Sequence, residues 1–149
     1  MLSGDSLFYE FDYQRISGNP NIPLAPIVDV KLKSRNSIFG IVINEFGLID
    51  TGADVTLVPM SIIAKLRLEP TDNVDYSLIP KSLSKHRLAD NAYSLLLSFG
   101  DSNYFRMTVW GLKVKESLVI IGRDLLNIGF NVNFDGKNFK TEIRYGLDN

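Results

Sequence analysis

The chain has 149 residues, 45% of them hydrophobic and 22% charged, and a net charge of −1 at pH 7. That length suggests one domain with a real core, and the balanced charge gives no electrostatic footprint for nucleic acid. Charges interrupt each apolar run before it reaches the length of a membrane span, and no basic segment leads into an apolar one at the N-terminus; no membrane partner and a cytoplasmic location are therefore expected.

Residues 1–25 read as an arm. Leu7-Phe8-Tyr9-Glu10-Phe11-Asp12-Tyr13 half-alternates aromatic and acidic side chains, which suits an edge strand, and the turn formers of Ser17-Gly18-Asn19-Pro20 break it. The arm is either a covering strand or leader, or part of a dimer contact. Residues 26–145 form the expected domain and 146–149 a short tail. Ile27-Val28-Asp29-Val30-Lys31-Leu32 alternates with the period of a half-buried strand. Residues 38–43 read as a second strand, Asn44-Glu45-Phe46-Gly47 as a turn, and Leu48-Ile49 as the approach to Asp50. Val55 to Val58 is apolar and β-branched. Pro59 then opens a short helix that carries Ile62, Ile63 and Leu66 on one face. Residues 69–92 are the least regular. Residues 93–99 and 104–112 read as a hairpin, Val119-Ile120-Ile121 as a buried strand, and 124–128 as a turn or two of helix. Asp135-Gly136 marks a last hairpin between 130–134 and 139–143. Short strands joined by tight turns make the chain mainly β.

The chemistry available is narrow. There is no cysteine, which removes disulfides, thiolate catalysis and cysteine-ligated zinc, and His86 is the only histidine. Acid–base chemistry is therefore expected to rest on carboxylates. One carboxylate is conspicuous: Asp50 ends an apolar run, where an unpaired charge is expensive and an aspartate normally has partners or a raised pKa. Gly52 lets the chain turn sharply and bring backbone N–H groups to it. Asp-Thr-Gly alone is also a common turn in any β protein.

Leu48-Ile49-Asp50-Thr51-Gly52-Ala53-Asp54, followed far downstream by Ile120-Ile121-Gly122-Arg123-Asp124-Leu125-Leu126, resembles the paired signatures of the retropepsins, the retroviral-type aspartic proteases. The resemblance spans about residues 26–145, and the Phe130 to Asn138 stretch is closer in look to cellular and bacterial members. It implies an all-β fold, a small closed β-barrel of the acid-protease type with one or two short helices. It implies an aspartic endopeptidase acting on a peptide or polyprotein, with no metal and no cofactor. Asp50 is then the catalytic aspartate. One chain supplies one such Asp, so the resemblance implies a homodimer whose two Asp50 carboxyls share a proton. Thr51 and Gly52 support the loop. Ala53 and Asp54 bind substrate, Asp54 also pairing with Arg123, and Gly122, Arg123 and Asp124 brace the structure or the dimer. Ala53 brings no hydroxyl to the dyad, which predicts a mildly acidic optimum rather than one below about pH 3. A flap is expected near residues 74–88, a stretch without glycine that contains Pro80 and His86.

Two other readings compete. A catalytically silent peptide-binding or dimerisation module would keep the fold without the reaction. A hard-cation site on Asp50 and Asp54 ranks last, because further carboxylates at suitable spacing are missing.

Overall fold

Alternation builds the first barrel strand. In a computed structural model, which describes residues 7–36, 40–71, 88–100, 103–113 and 118–146 (88–90 by backbone alone), β2 (Ile27–Lys33) turns Val28, Val30 and Leu32 into the core and Asp29 outward. It pairs antiparallel with β3 (Val42–Ile49) and with β5 (Leu88–Phe99). β5 continues into its antiparallel partner β6 (Phe105–Leu112). β4 (Leu57–Pro59) and β7 (Val119–Ile121) are short and close the ring, in the order β2-β3-β7-β4-β6-β5. The fold is thus all-β, with a closed six-stranded barrel, as the sequence led us to expect.

Two short helices accompany it. α1 (Met60–Lys65) starts at Pro59, which sits as N-cap at φ −54°, near the angle its ring imposes. Its Ile62 and Ile63, with Leu66 just beyond, are buried against the barrel. α2 (Asp124–Asn127) is one turn, and buries Leu125.

The remaining strands make a second, antiparallel sheet in the order β1 (Leu7–Asp12), β9 (Lys140–Tyr145), β8 (Phe130–Asp135). Register puts Tyr9, Ile143 and Val132 on one face, with Phe130 opposite Tyr145. That face seals the barrel's end through rings: Phe130 lies 5.6 Å from Phe99, 4.6 Å from Phe105 and 4.8 Å from Tyr145, centroid to centroid. Such contacts add to an area term of roughly 1.5–3 kcal/mol per fully buried large side chain, so barrel and sheet share one core. The outer face is wet: Lys140 Nζ bridges Glu10 at 2.9 Å and Asp12 at 3.2 Å.

Two readings of the sequence need correction. Asn44-Glu45-Phe46-Gly47 is not a turn but the middle of β3, paired with Val28 to Lys31. Gly47 serves packing instead: a Cβ there would stand 2.8 Å from Ile121 Cδ1. The strand read at 38–43 begins only at Val42; residues 37–39 lie outside the described residues. The hairpin read at Asp135-Gly136 forms, Asp135 pairing with Lys140; in its turn Asp135 accepts the Asn138 backbone N–H at 3.2 Å and Phe139 takes a positive φ of 54°. The flap expected at 74–88, with His86, also lies outside the described residues, apart from the backbone of Leu88.

Candidate active site

The site follows from one parallel strand pair. β3 and β7 run side by side, Leu48 opposite Ile120 and Ile49 opposite Ile121. Parallel strands end at the same side, so the loops that follow them, far apart in sequence, emerge together. Asp50 N–H donates to Ile121 C=O at 2.9 Å and extends the ladder by one step.

Beyond that bond the Asp50 loop closes on itself. Gly52 N–H donates to Asp50 Oδ1 at 2.9 Å, and Ala53 N–H to Asp50 C=O at 3.1 Å. A Cβ on Gly52 would come within 3.2 Å of that carboxylate oxygen. Asp50 is half-buried, Thr51 and Gly52 are exposed, and Ala53 is buried. Among the described residues, Gly52 is the donor that reaches the Asp50 carboxylate, which leaves it accepting capacity toward solvent or a ligand.

The second loop locks onto the first. Arg123 N–H donates to Ala53 C=O at 2.8 Å, and the Arg123 guanidinium lies against the Asp54 carboxylate, both partly exposed. Gly122 fills the closest approach: a Cβ there would meet Val55 O at 2.5 Å and Ala53 O at 2.8 Å, so no side chain fits. Asp124 turns inward. Its Oδ2 accepts Thr56 N–H at 2.9 Å and its Oδ1 accepts the Thr56 hydroxyl at 2.8 Å. Gly122 N–H donates in turn to Thr56 Oγ1 at 3.2 Å. Thr56 Oγ1 thus joins the Gly122 N–H to Asp124, whose two carboxylate oxygens both accept from Thr56. Burial nevertheless pushes the Asp124 pKa above the ordinary aspartate value, against the opposite pull of the Thr56 hydrogen bonds.

The structure therefore brings all eight residues singled out by sequence into two touching loops. Thr56 is the residue that sequence reading missed. It is fully buried and polar within an apolar stretch, and that mismatch was its one signal; its partner stands 68 positions away.

Beside Asp50 lies a hollow of about 50 Å³, walled by Thr51, Ile121, Leu125, Leu126, Val132 and Phe134 among others. Roomier hollows lie elsewhere, of ≈ 390 Å³ against Asp29, Glu45 and Phe46 and of ≈ 90 Å³ between Tyr9, Tyr104 and Phe130. Neither is lined by a residue of the two loops. Among the described residues there is no cluster of three or more groups suited to a metal ion, and no helix is long and apolar enough to cross a membrane.

No family model matches the chain, and no curated protein matches it. Among solved structures, the chain is similar to a retropepsin-like aspartic protease from Rickettsia conorii, at 15% identity and TM-score 0.51, over 97% of this chain and 98% of that one. It also aligns with the retroviral protease-like domain of Ddi1 from Leishmania major, at 10% identity and TM-score 0.43, over 76% and 84% of the two chains.

Proposed function

We propose that this chain, whose fold is that of the retropepsin-like aspartic proteases, is an aspartic endopeptidase that works as a homodimer on an extended peptide or polyprotein. The observation that carries the reading is Asp50 itself: a half-buried carboxylate at the mouth of the β3–β7 pair, held by Gly52 N–H and otherwise open. A brace needs both carboxylate oxygens engaged, as at Asp124; a general base needs one left over.

In the proposed dimer two Asp50 carboxyls face each other across the two-fold axis. Like charges at close range cannot both ionise cheaply, so the pair holds one proton. The ionised carboxylate takes a proton from water as its oxygen attacks the scissile carbonyl carbon. The protonated carboxyl hydrogen-bonds the carbonyl oxygen as negative charge develops there. Collapse of the tetrahedral species breaks the C–N bond, and a carboxyl proton passes to the leaving nitrogen. The products are a carboxylic acid and an amine, with no covalent enzyme intermediate. Thr51 would steady the paired loops. Ala53 and Asp54 would contact the substrate backbone, with Arg123 paired to Asp54 beside it. Residues 26–145 are proposed as the protease domain, and the cytoplasm as its location.

The test is cleavage of a mixed peptide library at mildly acidic pH, with Asp50→Asn alongside and a statine-type transition-state mimic as inhibitor. Cleavage by the parent, absent in Asp50→Asn and blocked by the mimic, supports the reading. A confirmed dimer that cleaves nothing overturns it in favour of a silent peptide-binding module.

A further inference from the structure

β3 is paired along its whole length on one side and along less than half of it on the other. With β2 it pairs from Val42 to Ile49. With β7 it pairs only at Gly47, Leu48 and Ile49. Among the described residues, the ladder of Val42 to Phe46 is therefore open on the β7 side. A natural edge strand is commonly guarded by lysine, proline or a bulge, and this stretch has none of them. Its one charge, Glu45, lies opposite Val30 on the side of the sheet turned to the core. A strand laid here must set a polar or basic side chain beside it, so the edge is selective rather than closed.

The outer face of the same stretch carries the recognition groups. Val42 and Phe46 are 45% and 52% exposed, with exposed Asn44 between them. Register sets Phe46 directly opposite Asp29, and Asn44 opposite Lys31. These four residues and Gly100 are among those that wall the hollow of ≈ 390 Å³, a size that suits a bound group. Gly100 brings no side chain into it and donates its N–H to Asp29 C=O at 3.3 Å. The Asp29 side chain is exposed, and among the described residues nothing donates to its carboxylate. An aromatic face and a carboxylate with spare capacity, side by side across two strands, match one chemical group: a planar cation.

We infer that the open edge of β3 is a second polypeptide-binding site, separate from the Asp50 cleft, which takes an extended segment by strand addition and holds an arginine of that segment across Phe46 against Asp29. Backbone hydrogen bonds to Val42 through Phe46 supply affinity, and the side chains supply choice. From the added strand to β2 is two strand spacings, about 10 Å, a span that an arginine beside Phe46 bridges by lying over the ring. Its guanidinium then forks onto Asp29. Lys31, one pleat along, disfavours a second cation two positions from that arginine. Val42 takes an apolar residue four positions from it. The intervening residue faces Glu45 and is basic or polar. These spacings hold for either chain direction. The site does not depend on the proposed reaction; in a protease it would hold a substrate at a distance from the scissile bond, on the strand that runs into Asp50.

The probe is the labelled peptide acetyl-Thr-Val-Thr-Gln-Lys-Arg-Thr-amide, followed by fluorescence anisotropy on the full chain with the statine-type mimic in excess. Asp29→Asn and Phe46→Ala are compared with the parent and with Asp12→Asn as a surface control, and near-ultraviolet circular dichroism reports folding. Two further peptides carry N-methyl groups on one or the other alternate set of amides, since only one set faces the protein in an added strand. Expected is saturable binding that the mimic leaves unchanged. It should weaken roughly tenfold in Asp29→Asn, or when the peptide's arginine becomes glutamine, and about threefold in Phe46→Ala. Asp12→Asn should bind as the parent does, and one N-methylated peptide should lose binding while the other keeps it. Absence of saturable binding up to about 1 mM peptide, binding that the mimic displaces, equal binding of the two N-methylated peptides, or folded Asp29→Asn and Phe46→Ala chains that bind as the parent does would each overturn this site and leave the protease reading intact. A confirmed dimer that cleaves nothing yet binds the probe in the expected pattern overturns the protease reading and leaves the site.

Discussion

Asp50 and Asp124 both lie just past the ends of two adjacent parallel strands, Asp50 directly after β3 and Asp124 at the first residue of α2, and the fold uses them in opposite ways. Asp50 is offered one internal donor, Gly52 N–H, and remains half-open. Asp124 is filled on both oxygens by Thr56, whose hydroxyl is itself oriented by Gly122 N–H. The difference shows that the identity of a residue says little about its work; the number of donors supplied by the neighbours says much more. A carboxylate saturated from within holds two loops together. One with capacity to spare can act on something else.

The sharpest way to break this contrast is to remove charge from the open member. Asp50→Asn keeps shape and the Gly52 contact, so unfolding should move by less than about 1 kcal/mol, as for a partly exposed polar change. Cleavage should fall by roughly a thousandfold or more, the scale of a lost general base. Comparable activity in the two proteins, measured on one peptide, would remove Asp50 from the chemistry. Next in size is Gly122→Ala. Its Cβ would press on backbone at 2.5 Å from Val55 O, which cannot swing aside like a side chain. Thermal unfolding should show a loss of about 3 kcal/mol, at the upper end for overpacking. A loss below about 1 kcal/mol would mean that the two loops are not locked as described.

How far these features are legible in the sequence depends on the range of the interaction. β2 is readable because alternation is local, and so is α1, with Pro59 ahead of Ile62, Ile63 and Leu66. Gly47 misleads for the opposite reason. Glycine beside Asn44 looks like a turn, but what demands it is Ile121, a residue on the neighbouring strand. The two motif stretches can be read as motifs; that β3 and β7 set them shoulder to shoulder cannot, since parallel pairing leaves no local mark. Thr56 shows in the sequence only as a polar residue in an apolar stretch; its role is supplied by Asp124 and Gly122. In the arm, the half-alternation of Leu7 to Asp12 announces a strand, yet its partner β9 lies at the other end of the chain.

Thr56→Val tests the closed member directly. Valine keeps the volume and removes the donor to Asp124 Oδ1 and the acceptor for Gly122 N–H. Leaving buried polar groups without partners costs about 1–3 kcal/mol, read by denaturant unfolding. The same change removes a hydrogen bond that lowers the Asp124 pKa, which should therefore rise further. Smaller again is Arg123→Ala. Its pair with Asp54 is half-exposed, so stability should shift by less than about 1 kcal/mol, whereas KM for a peptide should rise more than kcat falls if Asp54 positions the substrate. An unchanged KM would confine the pair to the loop.

The smallest effect is the pH dependence that Asp124 gives to stability. Burial raises the Asp124 pKa above its ordinary value of 3.8, and the Thr56 bonds only partly oppose it. A carboxyl whose pKa is higher folded than unfolded binds its proton more readily in the native state. Its contribution to stability is therefore full below the unfolded value and is lost as pH rises through the raised one. Asp124→Asn cannot titrate, so the stability of the parent relative to this variant should decline across a window that opens near the ordinary aspartate value and extends above it. Denaturant unfolding of both proteins at matched pH values, with Asp50→Asn as the comparison, measures the decline. If the parent instead gains on Asp124→Asn as pH rises, the Thr56 donors outweigh burial, and the closed aspartate owes its place to its charge rather than holding it in spite of that charge.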